Sequence, residues 1–185
     1  MESTLNDLKT RHSVRKFKDE VVSKDDLEKI LETATYAPTG LGLQSPKILV
    51  IQRKDIIERI AKWNLSYFPE DIKKELEEDY DPFFKTSTLI IVLANSEIPT
   101  CVEDGSLVIG NILNAAHAIG VGGCWIHRAR EEFDSLQGKE LLKVWGIPEK
   151  YIGIGHVILG YSADDFEPKI TPRKDDYIVY LDDLL

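Results

Sequence analysis

Hydrophobic residues recur at helical spacing in several stretches of the chain and form short continuous runs in others. The clearest helical stretch follows Ser23, where apolar positions recur from Leu27 to Ala34 with polar residues between them. Asp26 stands three residues after Ser23, a spacing typical of a capping box at a helix start. The pattern predicts an amphipathic helix that ends at the Ala-Pro-Thr-Gly run of residues 37–40, because proline disfavours helical geometry at the residue before it.

The remaining elements follow from the same patterns. Thr4 and Asp7 suggest a smaller capping box for a first helix, and periodic apolar positions predict helices near 55–63 and 135–145. Short apolar runs rich in β-branched residues predict strands at 46–52, 89–93, 122–126, 151–160 and 177–181. Strands that alternate with helices in places predict an α/β or α+β fold around one mixed central sheet. We expect residues 1–185 to form a single domain.

Two stretches depart from the simple patterns. Residues 102–119 have a helical period but are apolar nearly all round, which predicts a helix buried on most of its sides. Such a helix can lie at the centre of the domain or at the interface of a dimer. Residues 64–85 have no clean period and mix aromatic residues with a run of acids. We expect a mobile, partly helical excursion there, of the kind that often covers a site.

Composition and charge narrow the classes of partner. The formal net charge is −9, which argues against a nucleic-acid or anionic-membrane partner. The two cysteines form no C-x-x-C pair, and the acidic, polar N-terminus lacks the pattern of a signal peptide, so we expect a reducing, cytoplasmic location. The longest purely apolar run, residues 89–94, is too short for a membrane span.

A basic segment at residues 9–18 contrasts with this acidic composition. It holds five basic residues and one histidine without any acid. On an extended backbone Arg11, Ser13 and Arg15 would lie on one face, and guanidinium groups beside a hydroxyl suit a phosphate or another compact anion. The alternative is a solvated basic turn after a short helix. A second basic cluster lies at residues 168–174.

Common catalytic and cofactor motifs are not found in the sequence. It has no dinucleotide-binding fingerprint, phosphate-binding loop or His-Glu-x-x-His motif. His117 and His127 could in principle share a metal, but His117 and His156 fit hydrogen-bonded core residues better. Cys124, between apolar neighbours, fits a packed small residue rather than a nucleophile. An enzyme without these groups would rely on a bound cofactor for its chemistry.

Four motifs together resemble the signatures of a known family. They are Arg-His-Ser-Val-Arg at 11–15, Ala-Pro-Thr-Gly-Leu-Gly-Leu-Gln at 37–44, the apolar helix before Cys-Trp-Ile at 124–126, and Thr-Pro-Arg at 171–173. In this order and spacing they resemble the nitroreductase family of FMN-dependent oxidoreductases, over essentially the whole chain. The resemblance implies the nitroreductase-like fold, which is an α+β fold of the three-layer α/β type with helices flanking a mixed central sheet. It also implies an intertwined homodimer with two FMN sites at the subunit interface.

The resemblance also implies which residues bind FMN. Arg11, Ser13 and Arg15 would hold its phosphate, ribityl or pyrimidine end, residues 125–127 would line the flavin edge largely through backbone, and Arg173 would clamp the phosphate. Residues near Pro38 would come from the partner subunit, and residues 177–181 would form an arm that reaches across the dimer. The implied cofactor-binding residues are Arg11, His12, Ser13, Arg15, Pro38, Thr39, Gly40, Leu41, Gln44, Trp125, Ile126, His127 and Arg173.

The implied reaction is hydride transfer. NADH or NADPH would give a hydride to flavin N5 and leave, and a nitroaromatic, quinone or similar acceptor would then take the electrons in a ping-pong sequence. No side chain is implied as a catalytic acid or base, and no metal is implied. Two alternatives stay open: a specialised family member that cleaves flavin or reduces one metabolite, and a non-redox nucleotide-binding module.

Two departures from the family pattern concern the site. The sequence has Gly42 and Ser45 where members often have asparagine and proline, so any side-chain contact from position 42 is lost. It has His127-Arg128-Ala129 where many members have small or acidic residues and glycine. A basic pair there would change the charge beside the flavin edge and with it the substrate preference. Alternatively, His127 and Arg128 form a solvated helix start.

Overall fold

In the computed structural model, which describes residues 2–181, a four-stranded sheet lies between two layers of helices. The strands are β1 (Lys47–Ile51), β2 (Thr88–Asn95), β3 (Gly122–Ile126) and β4 (Tyr151–Gly160). The helices are α1 (Glu2–Thr10), α2 (Lys24–Thr35), α3 (Lys54–Ser66), α4 (Glu70–Lys73), α5 (Cys101–Ala118), α6 (Ala129–Asp134) and α7 (Leu136–Val144). Short 3-10 turns occur at Gly40–Gly42 and Asp175–Tyr177.

The sheet has the strand order β1-β2-β4-β3, and its neighbouring strands pair antiparallel. The predicted α+β class with helices on a central sheet is confirmed. The parallel component expected of a mixed sheet is limited, among residues 2–181, to one isolated bridge between Ser13 and Gly123. Within the sheet, β2 and β4 each lie between two neighbours that run in the opposite direction.

Alternate residues of β2 separate the two hydrophobic cores. Ile90 and Val92 point to the core that α2 and α5 cover, whereas Leu89, Ile91 and Leu93 point to the core under α3, α6 and α7. Strand side chains alternate between faces, so a strand that is apolar at every position must be covered on both. The strand predicted at 89–93 is thus confirmed, and helices on both faces of the sheet bury it.

The helix signals were mostly correct. The Ser23 side chain accepts a hydrogen bond from the Asp26 backbone N–H at 3.1 Å, which confirms the predicted cap of α2. Ser135 caps α7 in the same way through the Gly138 N–H at 3.0 Å. The smaller box is wrong, because Thr4 lies inside α1 rather than before it. The short helix α6 was not predicted, since six residues carry too little periodicity.

Small residues on β4 permit close approaches at Gly153 and Gly155. A Cβ at Gly153 would lie 2.0 Å from the Ala129 carbonyl oxygen, and one at Gly155 would lie 2.4 Å from Nε1 of Trp125. These two glycines bring the start of α6 and the indole of Trp125 onto β4. Trp125 lies near the end of β3, and α6 begins three residues after this strand, at Ala129.

The excursion at 64–85 starts later than predicted. Asn64 belongs to α3 and is wholly buried, and the irregular part begins after Ser66. The short helix α4 confirms its partly helical character.

The strand predicted at 177–181 does not form in the chain. Asp175–Tyr177 is a 3-10 turn, and residues 178–181 pair with no strand of the described part of the chain. Their side chains are exposed, although the run is apolar enough for a buried strand. The run has the composition of a strand, but it does not pair with either edge strand of the sheet, β1 or β3, within residues 2–181.

One side of α5 is also less buried than predicted. Val102 and Leu107 on α5 are 50% and 47% exposed, and Ile119 at its end is 39% exposed, while the buried face of α5 packs on the sheet and on α2. Within residues 2–181, no helix combines the length and the hydropathy needed to cross a membrane.

Candidate functional site

The basic segment runs along the start of β3. The Val14 N–H donates to the Gly123 carbonyl at 3.0 Å, and the Lys18 N–H donates to the Tyr161 carbonyl at 2.9 Å. Val14 is buried, so Ser13 and Arg15 on either side of it face away from the core. Arg11 continues the end of α1, because its N–H donates to the Asp7 carbonyl at 2.9 Å. Two of the three predicted anion ligands therefore share the extended face, and Arg11 precedes them.

The cations of this segment divide into paired and unpaired groups. Lys16 forms an ion pair with Asp165, and Lys18 forms one with Asp164 at 2.7 Å. Arg11 and Arg15 form no ion pair with any side chain of residues 3–181. Lys16 and Lys18 are thus neutralised by the chain, and the guanidinium groups of Arg11 and Arg15 can pair with an external anion.

The chain after β4 returns along this segment. Besides the two lysine pairs, the Phe166 ring stacks on His12 at a centroid distance of 6.0 Å. His12 also meets His117 edge-on at 5.6 Å, and burial together with the charges of His12 and Arg11 lowers the pKa of His117 despite the opposing effect of Asp7. Phe166, which contacts the basic segment through His12, precedes Arg173 by seven residues in the sequence.

Arg173 itself lies in an exposed segment. In the described chain its side chain makes no hydrogen bond or ion pair, and the predicted convergence with Arg11 and Arg15 is not formed by direct contact. Its role as a phosphate ligand stays a prediction.

The end of β3 offers backbone rather than side-chain contacts. β3 is an edge strand, paired with β4 on one side and bridged only at Gly123 on the other within residues 2–181. Trp125 and His127 are exposed and Ile126 is half-buried, with the indole of Trp125 resting on Gly155. An unpaired strand edge presents N–H and C=O groups to a ligand. This geometry fits the predicted backbone role of residues 125–127.

A buried polar relay lies behind this strand end. Asn64 donates from Nδ2 to the His127 carbonyl at 2.9 Å and to Oε1 of Glu132 at 2.8 Å. His156 Nε2 lies 2.6 Å from Oε2 of Glu132, within hydrogen-bond distance, and Nε2 is the donor when the carboxyl is ionised, because a carboxylate only accepts. Asn64, Glu132 and His156 are wholly buried. We call them the Asn64–Glu132–His156 relay.

Of this relay, sequence reasoning found one member. His156 was predicted to be a hydrogen-bonded core residue, and its contact with Glu132 confirms this. Asn64 and Glu132 were missed because each lies in a polar stretch that does not differ in sequence from a solvated helix face. The one available signal was the apolar pair Ala129 and Phe133, which predicts burial for neighbouring positions only if α6 is recognised.

Arg128, next to the relay, holds a strained backbone conformation. Its φ of 82° and ψ of −3° lie in the left-handed region, which costs a residue with a side chain about 1–2 kcal/mol. The guanidinium donates to Oε1 of Glu131 at 2.7 Å and lies 6.0 Å above the Phe68 ring. Burial alone would raise the pKa of Glu131, but the hydrogen bond and charge of Arg128 hold it below its ordinary value.

The charge expected from the basic pair at residues 127 and 128 is therefore reduced by an ion pair. Arg128 stands at the start of α6, yet it is half-buried and neutralised by Glu131 rather than solvated. The uncompensated positive charge beside the end of β3 is correspondingly smaller than the sequence suggested. His127 is exposed, as a solvated helix start would have it.

Aromatic residues of the excursion lie between the two parts of the site. Tyr80 contacts Phe68 and Phe84 at centroid distances of 6.2 and 6.3 Å. Phe68 lies under Arg128, while Arg15 is close enough to Tyr80 to counter the burial and the Asp81 charge that raise the pKa of Tyr80. The excursion thus connects the basic segment with the end of β3.

The loop at 37–44 is held by a buried acid. The Gly40 N–H donates to Oδ1 of Asp104 at 2.9 Å, and the Thr100 hydroxyl donates to Oδ2 at 3.2 Å. Leu41, Gly42 and Gln44 have positive φ, and the Gln44 N–H donates to the Thr39 hydroxyl at 3.0 Å. Asp104, which sequence reasoning did not single out, fixes a backbone that would otherwise not hold this shape.

This loop is not joined to the rest of the site within one chain. In residues 2–181, no hydrogen bond, ion pair or aromatic contact connects residues 38–44 with the basic segment or with the end of β3. Pro38 and Leu41 are exposed, and Thr39 and Gly40 are half-buried. The predicted ligands of the loop therefore remain apart from Arg11, Ser13 and Arg15 in the single chain.

The comparisons with known proteins agree with one another. The model of the nitroreductase family matches residues 8–161. A protein of Archaeoglobus fulgidus, named as a candidate NADH dehydrogenase/NAD(P)H nitroreductase, is 29% identical over 171 residues, covering 89% of this chain and 88% of its own. An iodotyrosine deiodinase of Thermotoga neapolitana is 29% identical over 126 residues, covering 62% and 68%.

Among solved structures, a nitroreductase from Bacteroides fragilis with bound FMN superposes with a TM-score of 0.85. It is 26% identical in sequence, and the match covers 96% of this chain and 97% of the other. The predicted nitroreductase-like architecture is confirmed by this likeness.

The contact between Asp104 and the 37–44 loop generates a prediction. Asp104→Ala leaves the Gly40 N–H without its acceptor in a partly buried position, so we expect a loss of about 1–3 kcal/mol in the free energy of unfolding. Amide hydrogen exchange at residues 40–44 should accelerate more than exchange in the sheet. Asp104→Asn, which keeps a carbonyl oxygen for Gly40, is the matched control, and equal exchange in both variants would contradict the role of Asp104.

Proposed function

The chain belongs to the nitroreductase family, and from this membership we propose that it is an FMN-dependent, NAD(P)H-dependent oxidoreductase that works as a homodimer. The names of the related proteins support a reduced nicotinamide as electron donor and FMN as cofactor. One observation in this chain supports the proposal most directly. Arg11 and Arg15 have no acidic partner among residues 3–181, beside an open strand edge, in a protein of net charge −9.

The donor groups fit the chemistry of FMN. The guanidinium groups of Arg11 and Arg15 and the Ser13 hydroxyl suit its phosphate or pyrimidine end, because charge-assisted hydrogen bonds are stronger than neutral ones. The open backbone at 125–127 and the half-buried Ile126 suit a flat ring with a polar edge. When bound, FMN would supply two-electron transfer from NADH or NADPH to a nitroaromatic, quinone or similar acceptor, in a ping-pong sequence.

The residues of the chain then bind, orient and exclude water. Arg11 or Arg15 next to the pyrimidine end would stabilise negative charge on the bound group, as an opposite charge within a few ångströms does. The end of β3 would fix the ring position through its backbone. The aromatic rings of Phe68, Tyr80 and Phe84 would keep water away from the bound group on the side of the excursion. No side chain needs to act as a catalytic acid or base.

Two features of the single chain support a homodimer. Val102 and Leu107 on α5 and Ile119 directly after it are exposed, and residues 177–181 leave an apolar run unpaired within residues 2–181. A second copy would cover both and would bring its own 38–44 loop to the basic segment, from which this loop is separate within one chain. The proposed FMN ligands from that loop are Pro38, Thr39, Gly40, Leu41 and Gln44, and Arg173 is proposed to complete the phosphate contacts.

A second candidate reaction is favoured by one relative. The similarity to an iodotyrosine deiodinase supports reductive removal of halogen from a halogenated tyrosine. This reaction would use the same FMN site with a different acceptor.

The redox proposal predicts a yellow protein. FMN should be released on denaturation at about one per chain, and NADH or NADPH should bleach the bound flavin under anaerobic conditions. Adding a nitroaromatic, a quinone or 3-iodotyrosine to the bleached protein then identifies the acceptor by the return of colour. A colourless protein that takes up no FMN would sink the proposal, and binding of FMN without oxidation of NAD(P)H would favour a non-redox module.

The basic segment predicts a loss of cofactor on substitution. Arg11→Ala and Arg15→Ala should each weaken FMN binding about 10- to 100-fold, because a hydrogen bond to a charged group contributes about 1.5–3 kcal/mol. Thermal stability should change little, since neither guanidinium has a partner among residues 3–181. Arg53→Ala removes the same charge from an exposed arginine paired with Asp55 and is the control for fluorescence titration with FMN. Unchanged affinity in both site variants would return residues 11–15 to a solvated turn.

The dimer proposal predicts that a charge on α5 separates the subunits. Leu107 is 47% exposed in the single chain, so Leu107→Glu should leave the chain folded but give a monomer in analytical ultracentrifugation. Leu136→Glu places the same charge on α7, where the leucine is 86% exposed, and should leave a dimer intact. A monomeric wild-type protein would contradict the proposal directly.

A further inference from the structure

We infer that Asn64, Glu132 and His156 are positioning residues that hold the His127–Arg128 peptide, and with it the end of β3, in the orientation that the cofactor site requires. The inference deepens the proposed function and rests on it for the identity of the ligand, FMN. The geometry of the strand end does not depend on that identity. The two statements can therefore be tested separately.

The relay connects three elements around one carbonyl. Asn64 lies on α3, Glu132 on α6 and His156 on β4, and Asn64 donates to the His127 carbonyl immediately after β3. Each of its three contacts is between 2.6 and 2.9 Å. The His127 carbonyl is thereby fixed against the sheet and two helices at once. The opposite, exposed side of the same strand end faces the candidate site.

Stability alone does not account for these residues. Buried ionic and polar groups pay a desolvation cost, and well-packed apolar side chains of similar size often give equal or greater stability. Here three such groups lie within an otherwise apolar core that includes Leu142 and Phe133. A fixed direction for a peptide is something that apolar packing cannot supply, because only hydrogen bonds specify the orientation of a carbonyl.

The conformation of Arg128 shows why the peptide needs to be held. Its left-handed backbone follows directly after the bonded His127 carbonyl and precedes the first residue of α6. A residue with a side chain leaves this region unless its surroundings prevent it. The relay constrains the peptide from one side, and the contact of Arg128 with Glu131 constrains it from the other.

The relay also reaches the aromatic residues that face the site. Asn64 is in the last turn of α3, and the chain continues from there to Phe68, which lies under Arg128. One side chain therefore ties the start of the excursion to the end of β3. Loss of this tie would change the orientation of the strand end and the position of Phe68 together.

The direct test is Asn64→Leu, a change of similar volume that removes both donated hydrogen bonds. In the full-length protein as purified, hydrogen exchange measured by mass spectrometry should accelerate about tenfold at residues 124–130, the change expected when one buried hydrogen bond is lost. The FMN dissociation constant should rise by a similar factor, and the visible spectrum of bound FMN should shift. Ile60→Ala is the control, since it opens a cavity one turn earlier on α3 without touching the His127 carbonyl.

A second pair of variants covers the case in which Asn64→Leu does not fold. His156→Gln keeps a donor near the position of Nε2 and should hold exchange at 124–130 and FMN affinity within about twofold of wild type. His156→Leu removes this donor and should change both in the same direction as Asn64→Leu. The contrast between two substitutions at one buried site separates the hydrogen bond from packing.

The outcomes distinguish the inference from the proposed function. Local acceleration in the Asn64 or His156→Leu variants, absent in Ile60→Ala, supports the positioning role. If it occurs in a protein that binds no FMN, the proposed function fails and the positioning of β3 stands. Exchange at 124–130 that matches wild type, or that rises equally in Ile60→Ala, overturns the inference.

Discussion

The antiparallel pairing of β2 with β4 is the contact on which the site depends. Both strands are buried along nearly their whole length, and their alternate side chains divide the interior into two cores. The register shifts between Val92 and Leu93, where Gly155 and Gly153 are the partners on β4. A bulge of this kind bends a strand and redirects its side chains. The bulge coincides with the two positions at which β4 receives α6 and the indole of Trp125.

Three residues of β4 consequently position β3 and the start of α6. Gly153 admits the Ala129 carbonyl, Gly155 admits Trp125, and His156 anchors Glu132. Because side chains alternate along a strand, Gly155 and His156 act on opposite faces. The edge strand is thus located by packing on one face and by hydrogen bonds on the other. This combination explains how a strand with an open edge can hold a defined position.

The sequence predicted what depends on local pattern and missed what depends on distant partners. The apolar runs of β2 and β4 and the Ser23 cap of α2 are local, and all were predicted correctly. Asn64 and Glu132 become core residues only because α3 and α6 meet behind β3, which no spacing in the sequence reveals. The strand predicted at 177–181 was wrong, because a strand-like composition forms a strand only beside a partner, and within residues 2–181 these residues pair with none.

In the candidate site, too, the motifs were predicted from the sequence, whereas a residue that anchors one of them was not. The motif at 11–15 was found from its charge, and the structure added that Lys16 and Lys18 of the same segment are already paired with Asp165 and Asp164. The loop at 37–44 was found from the family resemblance, whereas its anchor Asp104 was not. Its carboxylate is recognisable only from the Gly40 N–H that it binds. Anchoring groups of this type carry no signal in a single sequence.

The distribution of charge bears on how an acidic protein could hold an anionic cofactor. A net charge of −9 would repel a phosphate if it acted as one distant charge, but salt screens exposed charges beyond about 8–10 Å. The potential at the site is therefore set by the nearest groups. Lys16 and Lys18 contribute little because their partners cancel them, and Arg128 contributes little because Glu131 does the same. Arg11 and Arg15 then add positive charge that no ion pair within residues 3–181 cancels, so an acidic surface elsewhere and an anion site here are compatible.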